Sequence, residues 1–201
     1  TESGATSAYP SIIAGGIRGT VLHYDRNDHK RVDGDLVVVD AGARYDYYCA
    51  DLTRTYPVSG KFTEEQKKIY EIVLEAQELV AEKAKPGMWL INNDEPEMSL
   101  QHIALNFFKE HKMDQCFIHG IGHFLGLDVH DVGNGSRPLQ HGDVITIEPG
   151  IYIPEKNLGI RIEDNYWIVD QTTPVCLSEA LPKTVKAVEE MIEQSFDVDL
   201  K

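Results

Sequence analysis

The amino-acid sequence predicts an α+β fold, because its predicted elements follow one another as strands, two helices, further strands and a final helix. The 201 residues are enough for one domain with a sizeable core. The composition, 42% hydrophobic and 26% charged, is typical of a folded globular protein and does not favour a disordered or coiled-coil chain. We therefore expect one domain over residues 1–201.

The first predicted strands lie in residues 9–56, where Gly, Asn and Asp divide the chain into short apolar runs. These runs are YPSIIAGG, TVLHY, DLVVVDAG and YDYYCADLT. Apolar residues then recur three and four positions apart, which predicts a helix over about residues 63–85. A capping box of Thr63 and Gln66 marks its start, and Pro86 with Gly87 marks its end.

The second half begins with a shorter helix, returns to strands and closes with a helix. Leu100, Ile103, Ala104 and Phe107 indicate a shorter amphipathic helix. Strand composition returns in residues 116–118, 143–147, 159–169 and 173–177, and residues 182–193 predict a closing helix. The segments DGDLVVVDAG and HGDVITIEPG resemble one another, which suggests an internal duplication with Asp40 and Glu148 at equivalent strand ends.

Charge and cysteine content exclude several classes of function. With 19 Lys and Arg against 33 Asp and Glu, the net charge of −14 and the lack of a basic patch argue against nucleic acid and membrane partners. The three cysteines show no CxxC spacing, so neither a disulfide framework nor a thiolate zinc site is expected. Neither a signal peptide nor an apolar run long enough for a membrane span is found, so we expect a cytoplasmic protein.

Two aspartates end apolar strands. Asp40 closes the run LVVVD, and Asp51 follows eleven residues later near the end of the next predicted strand. Burying an unpaired carboxylate is costly unless it is paired or binds a metal. Each residue alone is also compatible with a turn aspartate that accepts backbone hydrogen bonds.

Three histidines lie within the glycine-rich segment FIHGIGHFLGLDVHDVG, residues 117–133. His119 and His123 are four residues apart, but the glycines make a helix improbable there. On an extended strand both would still share one face. Together with His130 they favour a functional site over isolated structural histidines.

Two glutamates complete the pattern. Glu148 ends the run DVITI, and Glu163 in GIRIEDN shares a strand face with Arg161, which could orient it. A surface Arg–Glu pair is the alternative. The candidate set is Asp40, Asp51, His123, Glu148 and Glu163. Four carboxylates and one imidazole suit two divalent first-row cations, such as manganese, cobalt or zinc.

The motifs LVVVDAG…ADLTRTYPVSGKFT, HGIGHFLGLDVHDVG, ITIEPGIY and GIRIEDN resemble those of metal-dependent Xaa-Pro aminopeptidases (aminopeptidase P) and prolidases, which have the pita-bread fold. The resemblance implies a duplicated antiparallel sheet with covering helices. It extends over almost the whole chain. Methionine aminopeptidases, which share that fold, differ after the metal-binding histidine.

The resemblance also implies individual roles. Asp40 would chelate one metal, Asp51 and Glu163 would bridge both, and His123 and Glu148 would complete the second. The remaining catalytic candidates are His23 and His130 in the substrate pocket, His119 beside it, Arg161 as a supporting residue, and Glu148 as the proton shuttle. Manganese is the expected metal, with zinc or cobalt as alternatives.

The expected function is therefore removal of an N-terminal residue that precedes proline, with proline-containing peptides as substrates. A Xaa-Pro dipeptidase (prolidase) is the alternative within the class, and an inactive protein-binding pita-bread module is the alternative outside it. Relatives usually carry an amino-terminal domain and additional first helices, so the fold is expected to be truncated at its amino-terminal end. We accordingly expect a homo-oligomer, or association with the missing amino-terminal fragment.

Overall fold

The computed structural model describes residues 4–133, 137–170 and 172–198, and these ranges contain eleven strands and three α-helices. The strands of the first half are β1 (Thr6–Ser7), β2 (Ile12–Gly15), β3 (Leu36–Asp40), β4 (Ala43–Tyr45), β5 (Tyr48–Cys49) and β6 (Thr53–Pro57). The helices α1 (Glu64–Lys83) and α2 (Leu100–Glu110) follow. The second half contains β7 (Val144–Ile147), β8 (Gly150–Ile153), β9 (Leu158–Arg161), β10 (Asp164–Trp167), β11 (Val175–Cys176) and α3 (Val185–Val198).

Antiparallel pairing places the ends of the central strands together. β3 lies between β2 and β6, with Asp40 opposite Thr53. β10 lies between β7 and β11, with Asp164 opposite Ile147. An isolated bridge between Thr53 and Glu163 joins the two halves. The carboxylates that end β3 and follow β7 therefore lie on either side of one junction.

The internal duplication is visible in the backbone. Gly34 and Gly142, which open the two similar segments, both have positive φ, +88° and +95°. L-residues with a side chain rarely adopt this conformation, so glycine is favoured at both turns. Each turn leads into a strand, β3 or β7, that pairs with an antiparallel partner. The α+β arrangement predicted from the sequence is confirmed.

The predicted helices α1 and α2 are confirmed. Thr63 and Gln66 form the expected reciprocal capping box, and Ser99 caps α2. The buried face of α1 packs against β7, β8, β9 and α2 in the apolar core. Gln77 on that face donates hydrogen bonds to the carbonyl oxygens of Ile147 (3.1 Å) and Ile162 (3.3 Å). α1 thus supports the backbone directly before Glu148 and Glu163.

Four predicted elements differ from the structure. The run YDYYCADLT is not one strand, because a turn follows β4 and only Tyr48–Cys49 form β5, so that Asp51 lies between β5 and β6. The run TVLHY is not a strand, because the chain leaves β2 at Gly16, whose φ is +57°, forms a 3-10 helix over Gly16–Thr20 and then turns. Residues 116–118 follow a 3-10 helix, Asp114–Cys116, and do not form a strand. The single strand expected over 159–169 is two strands, β9 and β10, interrupted at Ile162 and Glu163. Within the described residues, no helix is both long enough and apolar enough to span a bilayer.

Candidate metal centre

All nine side chains that the sequence singled out line one cavity of about 240 Å³. They are Asp40, Asp51, His23, His119, His123, His130, Glu148, Arg161 and Glu163. A second cavity of about 280 Å³ adjoins it and shares His23, His130, Asp40 and Asp51. The sequence-predicted residues therefore come together, although they are spread over more than 140 positions of the chain.

Asp51, His123 and Glu163 form the tightest group, with one donor atom from each lying within 4.8 Å of the others. His123 Nδ1 lies 3.0 Å from the carbonyl oxygen of Phe124, which fixes the ring so that Nε2 faces the carboxylates. Nε2 is 3.3 Å from Oδ2 of Asp51 and 3.4 Å from Oε1 of Glu148. This geometry can hold a divalent cation.

Close packing against β7 positions His123. The extended segment before Phe124 runs beside β7, and Thr146 donates its backbone N–H to the carbonyl oxygen of His123 (2.9 Å). A Cβ atom at Gly122 would lie 2.0 Å from the carbonyl oxygen of Thr146, so this approach requires glycine. The Thr146 hydroxyl also donates to Oε1 of Glu148 (3.2 Å). The same strand therefore orients both His123 and Glu148.

Asp40 is held by two partners that the sequence did not connect with it. Arg161 Nη2 donates to its Oδ2 over 2.7 Å, and the Tyr9 hydroxyl lies 2.6 Å from its Oδ1. That hydroxyl is also 2.5 Å from Oδ1 of Asp51. Arg161 thus pairs with Asp40 rather than with Glu163, to which it is linked only through the hydroxyl of Thr53. The surface Arg–Glu pair considered as an alternative is wrong, because both residues are buried.

Tyr9, Thr53 and Tyr152 are site residues that the sequence analysis missed. Thr53 donates its hydroxyl to Oε2 of Glu163 over 2.7 Å. Tyr152 accepts from Arg161 Nη1 (3.0 Å) and lies 2.9 Å from His119 Nε2. Aromatic and threonine residues at strand positions are typical of sheets in general, so the sequence held no signal that separates these from ordinary strand residues.

The three remaining histidines occupy different positions around the cavity. Both nitrogens of His119 have partners, the Tyr152 hydroxyl and the carbonyl oxygen of Gly120. The ring of His130 stands edge-on to that of His123, with centroids 4.3 Å apart. His23 is exposed on the loop that follows the 3-10 helix. His23 and His130 therefore face the shared part of both cavities, whereas His119 is held in the wall.

Burial dominates the electrostatics of the carboxylates. It raises the pKa of Glu148 to about 7 and that of Glu163 well above its usual value, and it raises the pKa of Asp40 despite the Arg161 guanidinium. Burial also opposes ionisation of Asp51, but hydrogen bonds with His123 and Tyr9 lower its pKa overall. Close acidic groups of this kind repel one another when ionised. A donor set of four such carboxylates and one imidazole fits divalent cations, which would relieve that repulsion.

Comparison with known proteins gives matches to a family of metallopeptidases. Residues 1–170 match the model of metallopeptidase family M24. The Xaa-Pro aminopeptidase of Haemophilus influenzae is 38% identical over 208 residues, covering 92% of this chain and 48% of that protein. The chain spans about half the length of the curated relatives it matches.

Two solved structures have the same fold. Aminopeptidase P from Escherichia coli with the inhibitor Pro-Leu has a TM-score of 0.83 at 34% identity, covering 95% of this chain and 48% of that one. Prolidase from Pyrococcus furiosus has a TM-score of 0.78 at 42% identity, covering 88% and 50%. These similarities confirm the pita-bread fold expected from the sequence.

Proposed function

Because the chain belongs to metallopeptidase family M24, we propose that it is the catalytic part of a Xaa-Pro aminopeptidase, which removes an N-terminal residue that precedes proline. One observation carries this proposal. The five candidate ligands, Asp40, Asp51, His123, Glu148 and Glu163, all line a single cavity. An inactive binding module would have no need for a complete ligand set of this kind.

Two divalent cations are the proposed cofactors, with manganese as the expected metal and zinc or cobalt as alternatives. Asp40 would chelate one cation, and His123 with Glu148 would complete the other. Asp51 and Glu163 would bridge the two, and each of them offers a carboxylate oxygen within 4.8 Å of the other and of a His123 nitrogen. Such cations supply an activated water nucleophile at neutral pH and polarise the scissile carbonyl group.

Side chains of the protein would transfer the proton and donate hydrogen bonds to the reacting groups of the substrate. Glu148, whose Oε1 lies 3.4 Å from His123 Nε2 in the cavity, would take up the proton that the attacking water releases and pass it to the leaving proline nitrogen. His130 and His23 face the shared part of the two cavities, where they can donate hydrogen bonds to a developing oxyanion. Because both nitrogens of His119 have protein partners, that ring would shape the pocket rather than transfer protons.

A Xaa-Pro dipeptidase is the second candidate. A Xaa-Pro dipeptidase of Pyrococcus furiosus is 44% identical over 167 residues, covering 81% of this chain. The two activities differ in the substrate beyond proline. An aminopeptidase accepts a longer peptide, whereas a dipeptidase requires the free carboxylate of proline.

The test is a comparison of three peptides with the purified protein after loading with manganese, zinc or cobalt. A Xaa-Pro-Yaa tripeptide should be cleaved faster than a Xaa-Pro dipeptide, and a Xaa-Ala-Yaa tripeptide should be cleaved slowly or not at all. Faster cleavage of the dipeptide would select the dipeptidase. A metal-loaded protein that hydrolyses neither proline peptide contradicts both proposals.

The proposed partners are proline-containing peptides. Homo-oligomerisation or association with an amino-terminal fragment stays a prediction, as does the cytoplasmic location. An apolar groove is the feature that favours association. It lies between the sheet of β2, β3 and β6 on one side and α3 on the other, and its lining includes Val37, Val39, Tyr56 and Ile192. Sedimentation of the purified chain would test this prediction, and a stable monomer containing no other polypeptide would contradict it.

A further inference from the structure

The loop that carries His23 lies outside the strand pairings that hold Asp40 and Glu163. It connects the 3-10 helix Gly16–Thr20 to β3, and residues 24–32 are neither helix nor strand. His23 lines both cavities from this loop. Within the loop, the backbone N–H of Asp25 donates to the carbonyl oxygen of His23 (3.1 Å), which is a contact of the loop with itself. Something else must fix the loop relative to the sheet.

Asn27 supplies that attachment. Its side-chain oxygen accepts a hydrogen bond from the backbone N–H of Ile13 (2.7 Å), and its side-chain amide donates to the carbonyl oxygen of Ser11 (2.6 Å). One amide group therefore pairs with the backbone donor and acceptor on the outer edge of β2, as a neighbouring strand would. The φ of Asn27 is +48°, a region that asparagine tolerates better than most residues.

The other polar contacts of the loop do not attach it. Arg26 pairs with Asp28 over 2.5 Å, and the Tyr24 hydroxyl is bonded to the same carboxylate. These contacts shape the loop internally, and the Arg26 side chain is 75% exposed. Because all three residues belong to the loop, these contacts do not connect the loop to the sheet.

The strand to which Asn27 is bonded also holds the metal site. β2 pairs on its inner edge with β3, and Ile12 lies directly opposite Asp40. Asn27 bonds to the residues on either side of Ile12, Ser11 and Ile13. Asn27 and Asp40 therefore contact the same short stretch of chain at the start of β2, Asn27 at Ser11 and Ile13 and Asp40 at Ile12. This shared stretch fixes the loop relative to a candidate ligand.

From this geometry we infer that Asn27 is a positioning residue, which sets the place of His23 over the metal site by pairing with the edge of β2. The inference rests on the proposed function, since it assigns Asn27 to the binding of the peptide substrate through His23. It requires no contact between Asn27 and the substrate, and none between Asn27 and a metal.

Two substitutions distinguish the contributions of the two Asn27 hydrogen bonds, one with Ile13 and one with Ser11. Asn27→Gly keeps the positive φ but removes both hydrogen bonds, and Asn27→Asp keeps the acceptor for Ile13 while removing the donor to Ser11. Arg26→Gln, at the adjacent exposed position, is the matched control. For Asn27→Gly we expect kcat/KM for a Xaa-Pro-Yaa tripeptide to fall about tenfold, with metal content unchanged. Asn27→Asp should lie between, and Arg26→Gln should match the wild type.

A double-mutant cycle with His23→Ala distinguishes positioning from general destabilisation. If Asn27 acts through His23, then Asn27→Gly should change kcat/KM less than about twofold in the His23→Ala background. An equal loss in both backgrounds, or a loss of bound metal in Asn27→Gly, would overturn the inference.

Hydrogen exchange at the Ile13 amide tests the attachment without using activity. The amide should be protected in the wild type and in Asn27→Asp, and exchange faster in Asn27→Gly. Equal exchange in all three proteins would overturn the inference even if the peptides are cleaved. If the wild type cleaves no Xaa-Pro peptide, the proposed function fails and the assignment of Asn27 to substrate binding fails with it, whereas a protected Ile13 amide would still show that the loop is attached.

Discussion

Arg54 and Asp164 form a buried ion pair directly behind the junction of the two halves. Nη2 of Arg54 lies 2.6 Å from Oδ1 of Asp164, and the two side chains are 2% and 0% exposed. Nη1 of Arg54 donates to the carbonyl oxygens of Thr53 (2.9 Å) and Glu163 (2.7 Å). Arg54 therefore stabilises the Thr53–Glu163 bridge, which holds the candidate ligand Glu163 against the sheet of β2, β3 and β6.

We predict that Arg54→Ala strongly destabilises the fold. Removing one partner of a buried pair leaves the Asp164 charge with weaker compensation, which typically lowers the free energy of unfolding by about 3–5 kcal/mol. Lys183, 3.0 Å from Asp164, would moderate the loss. Urea denaturation would measure it. Lys61→Ala is the matched control, since Lys61 is 62% exposed and pairs with Glu189 at the surface. Its expected effect is below about 1 kcal/mol, and an equal loss in both variants would contradict the prediction.

The proposed bridging ligands should affect both cations. Asp51→Ala or Glu163→Ala should abolish peptide hydrolysis and reduce the binding of two metal equivalents, because each carboxylate would serve both ions. His123→Ala should mainly lose one. Metal analysis after dialysis, with the fold checked by circular dichroism, measures this difference. Two tightly bound metals and normal turnover in Asp51→Ala would refute the assignment.

His130 is expected to act without binding metal. It stands edge-on to His123 and lines both cavities. His130→Ala should therefore keep the metal content of the wild type, while kcat falls by about 10² to 10⁴, the range for loss of an acid–base or oxyanion contact. Steady-state kinetics and metal analysis of one preparation test both parts. Loss of one metal equivalent would identify His130 as a ligand instead.

The candidate site could be predicted from the sequence because its carboxylates stand at the ends of apolar runs, where charged residues are unusual. Asp40 and Glu148 end apolar strands, where a carboxylate is costly unless something binds it. Such residues stand out without knowledge of the fold. The cavity places them together with His123, as the motifs suggested.

The contacts that support the site could not be predicted from the sequence in this way. Tyr9 and Tyr152 fit a strand pattern, so only the folded geometry shows that their hydroxyls contact the site. Arg161 was expected beside Glu163, but its long side chain reaches Asp40, a residue 121 positions away. The strand predicted around His23 is absent because the chain turns out of β2 at Gly16, whose φ is +57°, into a 3-10 helix, a backbone change that the composition of TVLHY does not reveal.

The last prediction concerns the pH dependence of metal binding. Burial raises the pKa of Glu148 to about 7 in the metal-free fold, so this side chain keeps its proton at pH 6 and loses it by pH 8. A proton retained above its ordinary pKa stabilises the metal-free fold at low pH, and that contribution is lost as the pH rises through 7. A cation requires the carboxylate, so it must displace this proton at pH 6 but not at pH 8. On this ground alone, affinity should rise about tenfold between pH 6 and pH 8.

Glu148→Gln isolates this contribution, because the amide has no proton to release. Glu163 and His123 also have raised pKa values, so the variant should retain part of the pH dependence. Calorimetric titration with Mn²⁺ at pH 6, in buffers of different ionisation enthalpy, counts the protons released. The variant should release up to one proton fewer than the wild type and bind with a shallower pH dependence. Equal proton release by the two proteins would show that Glu148 is already ionised at pH 6, and that burial does not control its charge.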